Sequence, residues 1–451
     1  ATTTGAGSME HTGDPAAAGE SARDDGDPLT SGLVRLTVLA LIGGALTGLV
    51  GGLFRLALAG AELLRTDVLE WAREAPAVRW VLPVILAAGA AALARLIVRW
   101  DPDASGSGVQ RVEAVVRGQL EPDRRLRLIP AKFVGGVLAI GSGMALGREG
   151  PTVQMGASIG QEIARVTRLS AQDRGSLTAS LGGAGLGVAF SAPLGGAVFV
   201  FEELTGEFRT RLVVAVLAGT ATAMAVSHYL VGWDAVFPVP SVETGAMWQL
   251  IVYAAFGLVV GLLGVAYNRL VLLLLDAFAS VHRLPPEVKA GLVGALVGLL
   301  GVAAPLAVGS GEVLSEKVLL GGVPLGALLL LLLVRWLIGP LSYATGTPGG
   351  LFAPLLLVGA ALGALVAGAM NALLPGDPLP VLGLTIVGMS TFFTAVVRAP
   401  LTGVVLIVEM TATTSLLVPM MIAAGAAVLS ATLVKGPPIY DTLRERLGTQ
   451  A

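Results

Sequence analysis

The sequence predicts an all-α polytopic membrane protein of many helices, several broken inside the bilayer, arranged as two repeated halves. Three observations predict it. Of 451 residues, 54% are hydrophobic and only 13% charged, and the mean hydropathy of +0.81 lies far above that of a water-soluble domain. Uncharged runs recur along the chain, yet some are too short, or too rich in glycine and proline, to cross a bilayer as one helix. Two motifs recur in the same order in both halves. The composition also sets limits: a net charge of -2 argues against a nucleic-acid surface, and 61 glycines without a cysteine point to close helix packing rather than disulfide staples.

In chain order, residues 1–32 are small, polar and acidic, with no apolar stretch that could serve as a signal, and read as a disordered tail. Uncharged runs at 36–54, 80–94, 212–233, 247–268, 290–311, 318–334, 378–397 and 410–434 give candidate spans. The membrane region then covers 33–434, in halves of about 33–232 and 247–434, followed by a short C-terminus at 435–451. Between Lys132 and Arg148 lie fifteen uncharged residues, about 22 Å of helix against a hydrocarbon core of about 30 Å. The run 150–161 is shorter still, Pro193 interrupts 175–201, and 336–376 contains TGTPGGLFAP, which cannot stay helical throughout. Helices must therefore end within the membrane, where unpaired backbone survives only if buried in protein or lining a polar path.

Loop charge gives the orientation. Arg209 and Arg211, then Arg269, Arg283 and Lys289, then Lys435, Arg444 and Arg446 fall on alternate connections, whereas 234–246, 306–316 and 375–377 carry no basic residue. The positive-inside rule puts the basic set, and both termini, in the cytoplasm.

The internal matches are specific. APLGGAVFVFEEL (192–204) parallels APLTGVVLIVEMT (399–411), with Glu202 and Glu409 at the same step. GREGPTVQMGASIG and GLFAPLLLVGAALG set Gly147, Pro151, Gly156 and Gly160 opposite Gly350, Pro354, Gly359 and Gly363. The offsets are 207 (Glu202 to Glu409) and 203 (Gly147 to Gly350), which indicates a duplicated unit of the kind transporters use. Whether the second copy is inverted stays open at this level.

In both frames glycines precede a proline expected at the first helical position, so each marks a helix N-terminus. Such an end carries about half a positive charge and free N–H donors. Two ends converging in the membrane make an anion site without a bare cation. A third candidate is DASGSGVQRVEAVV (103–116), where the Ser107 hydroxyl lies between Gly106 and Gly108 and can donate to an anion. A carboxylate at Glu149, beside such a site, competes for it as a tethered anion and lets go when protonated. The plain alternative makes Arg148 and Glu149 a solvated loop pair.

With these residues in view the chain resembles the CLC family of chloride channels and proton-coupled chloride transporters. The resemblance is carried by GSGVQ (106–110), GREGPT (147–152), GGLFAP (349–354), RAPLTGVVLIVEMT (398–411) and GPPIYDTL (436–443), in order, and covers about residues 33–446. It implies a CLC-type inverted repeat of tilted, partly broken helices and a homodimer with one pore per subunit. It implies anion coordination by Ser107, Tyr440 and backbone amides around Gly150, Leu351 and Phe352. The surrounding Gly106, Gly108, Gly147, Arg148, Pro151, Gly349, Gly350 and Pro354 shape that site. Glu149 matches the external gating glutamate and Glu203 the internal proton-transfer glutamate of exchangers. Glu202 beside it assists or faces cytoplasmic water, and Lys132 adds positive potential behind the pore. Chloride and protons are then the cargo, with no cofactor or metal, in a bacterial inner membrane.

Without the resemblance, the FEEL pair reads as a solvated helix end facing Arg209 and Arg211, Tyr440 as an interfacial tyrosine, and Lys132 as a snorkelling or ion-paired lysine. One departure stands out: the family continues GSGxP with proline and often glutamate, where this chain has Gln110 and Arg111. That bears on the rigidity of the half-helix and on the cytoplasmic entrance, while Ser107 favours chloride over nitrate. Eleven residues follow Tyr440, so no paired CBS modules are expected. The expected function is a chloride/proton antiporter, and the alternative is an uncoupled voltage- or pH-gated chloride channel of the same fold. An intramembrane hydrolase lacks its parts, since only His228 could partner a membrane serine. The apolar spans 212–233 and 410–434 are candidate dimer faces.

Overall fold

A computed structural model describes residues 28–74, 77–121, 126–240, 242, 246–373 and 378–448. In lipid every backbone group must be paired within the protein, and this chain meets that demand with helices alone: among the described residues the sole β-type pairing is one isolated bridge, Gly147 to Gly350. The helices of the first part are α1 (Pro28–Arg73), α2 (Val81–Trp100), α3 (Val109–Val116), α4 (Leu128–Gly141), α5 (Glu149–Val166), α6 (Ala171–Phe190), α7 (Pro193–Phe199) and α8 (Thr210–Val231). Those of the second are α9 (Gln249–Ser280), α10 (Pro286–Ala303), α11 (Glu312–Leu319), α12 (Leu325–Ala344), α13 (Phe352–Leu373), α14 (Val381–Val397), α15 (Pro400–Thr411) and α16 (Leu417–Leu433), with α17 (Ile439–Gly448) closing the described chain. Seven of these are long and apolar enough to cross a membrane. Others are not: α4 has 14 residues, about 21 Å, and α3 and α11 have 8 each.

Four expectations need correction. The first helix starts at Pro28, inside the segment expected to be tail; residues 1–27 lie outside the described residues. The run 290–311 is α-helical only to Ala303 and then holds a single 3-10 turn at Pro305–Ala307. The run 318–334 is cut by a turn in which Gly321 has φ 71° and Pro324 precedes α12. The run 410–434 is cut at Ala412, whose φ is 51°. These turns carry no charge, so a rule that reads spans from uncharged runs passes through them.

Small residues let the helices approach closely, as membrane bundles without a hydrophobic drive between helices require. Gly44 and Gly48 of α1 abut the Gly219 and Ala223 backbone of α8; Gly257 and Gly261 of α9 abut Ala423 and Ala427 of α16 in the same way. The shared glycine frame has one structural meaning in both places. Gly156 and Gly160 seat α5 on the Leu181 and Leu177 backbone of α6, and Gly359 and Gly363 seat α13 on Gly388 and Leu384 of α14. Pro193 and Pro400 each open a helix at its first position, after left-handed Ser191 (φ 52°) and Arg398 (φ 72°) respectively.

Two sets of hydrogen bonds are reciprocal. Gly147 N–H donates to the Gly350 carbonyl and Gly350 N–H to the Gly147 carbonyl, both at 2.8 Å. The Glu202 carboxylate accepts from the Leu401 and Thr402 amides at 3.0 and 2.7 Å and from the Thr402 hydroxyl at 2.7 Å. The Glu409 carboxylate accepts from the Leu194 and Gly195 amides at 3.1 and 2.7 Å. Glu202 caps the helix that carries Glu409, and Glu409 caps the helix that leads into the turn carrying Glu202, an exchange that follows when like elements pair across a two-fold axis.

Candidate functional site

The Gly147–Gly350 bridge brings two helix N-termini tip to tip. Glu149 is the first residue of α5 and Phe352 the first of α13. The first N–H groups of a helix have no partner within it, so both tips present donors into the same space. Glu149 is 0% exposed and its Oε1 accepts from the Phe352 amide at 2.6 Å. A side chain at Gly147 or at Gly350 would collide with that carboxylate, so glycine is required at both. Pro151 and Pro354 occupy the third helical position rather than the expected first; proline costs nothing there either, because those N–H groups are still unpaired.

Two further ends close the other side. α3 starts at Val109 after left-handed Gly108 (φ 85°), with buried Ser107 just before it. The Ser107 carbonyl and Cα lie against Gly150 of α5. Tyr440, the second residue of α17, is also 0% exposed and lies against the Ser107 side chain. It is therefore not an interfacial belt tyrosine. Its ring meets Phe352 edge-on at 5.5 Å, and Phe352 is further enclosed by Phe190, Phe199 and Phe393 at 6.5, 6.1 and 4.8 Å. Ser107 Oγ, Tyr440 OH and Glu149 Oε2 are buried without a protein hydrogen-bond partner. Two hydroxyl donors and two amide-bearing helix tips in an apolar shell suit a small, weakly hydrated anion and no cation.

The second rank holds these parts still. Lys132 is fully buried and its Nζ donates to the Ala104 and Gly106 carbonyls at 3.0 and 2.7 Å, fixing the turn before Ser107; it does not snorkel, and its partners among the described residues are carbonyls rather than carboxylates. Gly349 N–H donates to the same Gly106 carbonyl at 3.0 Å. Asn268 donates to the Val396 and Pro437 carbonyls at 3.1 and 3.3 Å, and Arg398 to the Gly436 carbonyl at 3.0 Å, which anchors the turn before Tyr440. Arg148 does not pair with Glu149. Its guanidinium donates to the Ala189 carbonyl at 2.8 Å and pairs with Glu312 at 2.9 Å.

Leu351 is buried in the turn before α13. Glu203 is half-buried in the π-helical turn Val200–Thr205. Glu202, in the same turn, is half-buried, and its carboxylate makes the α15 cap described above. Arg209 and Arg211, expected opposite the FEEL pair, bond instead to Glu207 and Asp173. Gln110 reaches toward the Tyr343 hydroxyl and Arg111 pairs with Asp103 at 3.0 Å, so the half-helix keeps its start without the usual proline. His228 packs on Trp233 at 4.4 Å, away from the site.

Sequence reasoning missed Glu312, Arg335 and Glu113. A signal existed for one of them. Gly309-Ser310-Gly311 stands 203 residues after Gly106-Ser107-Gly108, and Arg335 stands 203 after Lys132. Arg335 indeed donates to the Val308 carbonyl at 2.7 Å and to the Leu306 and Gly309 carbonyls, as Lys132 does to its own turn.

Comparison with known proteins agrees with this geometry. A family model described as voltage gated chloride channel matches residues 89–432. The H(+)/Cl(-) exchange transporter ClcA of Vibrio parahaemolyticus is 36% identical over 416 residues, 91% of this chain and 89% of that one. The protein of the same name from Salmonella arizonae is 36% identical over 420 residues, 91% and 88% of the two chains. Among solved structures, a slow cyanobacterial Cl-/H+ antiporter superposes with a TM-score of 0.87 at 30% identity, covering 92% of this chain and 98% of that one. A eukaryotic CLC transporter, at TM-score 0.77 and 23% identity over 91% and 74% of the chains, shares the fold. With helix ends meeting around a buried glutamate and a family match over most of its length, the chain belongs to the voltage gated chloride channel (CLC) family of integral membrane proteins.

Proposed function

We propose that this protein exchanges chloride for protons across a bacterial inner membrane. The observation that carries the reading is the Glu149 carboxylate seated on the Phe352 amide, an anion of the protein's own occupying donors suited to chloride. A carboxylate and a chloride cannot both hold that position, because like charges a few ångströms apart in a low dielectric repel strongly. Protonation at Glu149 Oε removes the charge, weakens the bond to Phe352 N–H and yields the seat to chloride. Chloride then rests between the α13 tip and the Ser107 and Tyr440 hydroxyls. Glu203, toward the basic loops, takes up the proton on the cytoplasmic side and relays it to Glu149. The names of the exchange transporters to which this chain is 36% and 30% identical support the same reading.

The membrane region 33–434 is read as two inverted halves, about 33–232 and 247–434, with both termini cytoplasmic. The reciprocal caps of Glu202 and Glu409 support that division. A homodimer with one pore per subunit is favoured by apolar side chains left exposed on four neighbouring helices: Leu194 on α7, Leu217 on α8, Leu401 on α15, and Val418, Met421 and Leu433 on α16. Four of these, Leu217, Val418, Met421 and Leu433, lie in the spans expected to form the dimer face, and a contiguous apolar surface of this kind is covered by lipid or a second subunit.

Reconstituted vesicles with both ions recorded together test the function. Exchange predicts that a chloride gradient drives protons uphill, and that a pH gradient shifts the reversal potential. A reversal potential that follows chloride alone would make the protein an uncoupled channel.

A further inference from the structure

The inner end of the site contains an ionic hub that the exchange reading leaves unused. Glu113, on α3, is 0% exposed. Its Oε1 takes the guanidinium of Arg117, one turn further on at the C-cap of α3, at 2.9 Å, and that of Arg444 from α17. Arg117 Nη2 also donates to the Glu203 carbonyl at 2.9 Å, and Arg444 Nη2 reaches Asp441 at 2.8 Å. One buried carboxylate therefore ties three pieces: the helix that begins at Ser107, the helix that carries Tyr440 one turn before Arg444, and the π-helical turn that carries Glu203.

We propose that Glu113, clamped by Arg117 and Arg444, is a positioning residue that locks the Ser107–Tyr440 constriction to the Glu203 turn and so keeps chloride from crossing without a proton. The proposal rests on the exchange reading above. Joining α3 to α17 for strength alone would not call for ions, because a buried ion pair loses in desolvation much of what it gains and apolar packing serves as well. What an ionic hub supplies is direction. Arg117 is shared between a carboxylate on α3 and a carbonyl on the Glu203 turn, so movement of either changes the hold on the other. Separation of α3 from α17 would draw the Ser107 and Tyr440 hydroxyls apart. An opened constriction lets chloride pass while Glu149 is out of its seat.

The test uses the full chain in vesicles, with chloride and proton fluxes recorded together for wild type, Glu113→Gln, Arg444→Met and Arg444→Lys. The expected result is a chloride-to-proton ratio raised about threefold or more in Glu113→Gln and Arg444→Met, at the low end of coupling between contacting residues. Arg444→Lys, which keeps a cation against Glu113, should stay close to wild type. A merely structural tie lowers both fluxes together and leaves the ratio alone. An unchanged ratio in Arg444→Met overturns the proposal, and that variant decides the matter if Glu113→Gln fails to fold. Wild-type chloride flux without protons would instead overturn the exchange reading and this proposal with it.

Discussion

The Glu149 carboxylate and the Phe352 backbone amide lie 2.6 Å apart, although 203 residues separate them in the chain. The contact exists because the Gly147–Gly350 bridge sets α5 and α13 tip to tip, and because neither glycine has a side chain in the way. A gate of this kind is an anion competing with an anion. Glu149→Gln removes the charge permanently. Proton transport should fall by more than about tenfold while chloride still moves, the loss expected when an interaction is deleted rather than weakened. In wild type, falling pH protonates Glu149, frees the Phe352 amide and raises chloride flux; in Glu149→Gln that slope should be flat. Chloride flux recorded from neutral to acid pH in both proteins checks the pair of statements.

Glu203→Gln should abolish proton movement and leave chloride flux. Glu203 sits in the π-helical turn, and among the described residues no hydrogen bond joins its carboxylate to Ser107, Tyr440 or the Phe352 amide, so its loss interrupts the proton route without altering the seat. Vesicle acidification at wild-type rate in this variant would remove Glu203 from the route.

Lys132→Met should weaken chloride binding by about tenfold. Its ammonium holds the Ala104 and Gly106 carbonyls, and a hydrogen bond to a charged group contributes about 1.5–3 kcal/mol. Losing both lets the Ser107 turn relax away from Tyr440. Titration calorimetry with chloride reads the change, and Lys132→Arg should recover part of it.

Glu202→Ala and Glu409→Ala should each destabilise the protein by about 1–2 kcal/mol, the range for losing a helix cap. Each carboxylate satisfies two amides at the start of α15 or α7, helices too short to tolerate a frayed first turn. The midpoint of thermal unfolding in detergent measures this. Equal losses in the two variants would match their reciprocal placement; a loss in neither would leave the caps without energetic weight.

Much of this was legible in the sequence where local chemistry dictates structure. The frames at Gly147 and Gly350 announced two helix starts, their glycines announced close helix packing, and Ser107 and Tyr440 fell where the motifs put them. Two things escaped. The break at Ala412 carries neither charge nor a proline-glycine cluster, and the one at Gly321, although marked by Gly321-Gly322 and Pro324, carries no charge, so span assignment from uncharged runs crossed both. Long-range polar pairing is invisible to periodicity: Glu113 meets Arg444 across 331 residues, and the capping role of Glu202 escaped because nothing in FEEL names the α15 amides as its partner.

The most direct measurement of the central claim is anomalous diffraction from bromide-soaked crystals of wild type and Glu149→Gln. A bromide peak within about 3.5 Å of the Phe352 nitrogen in Glu149→Gln, at the place the Glu149 carboxylate holds in wild type, is the predicted result. Bromide bound elsewhere in the variant, with none near the Phe352 amide, would contradict the account.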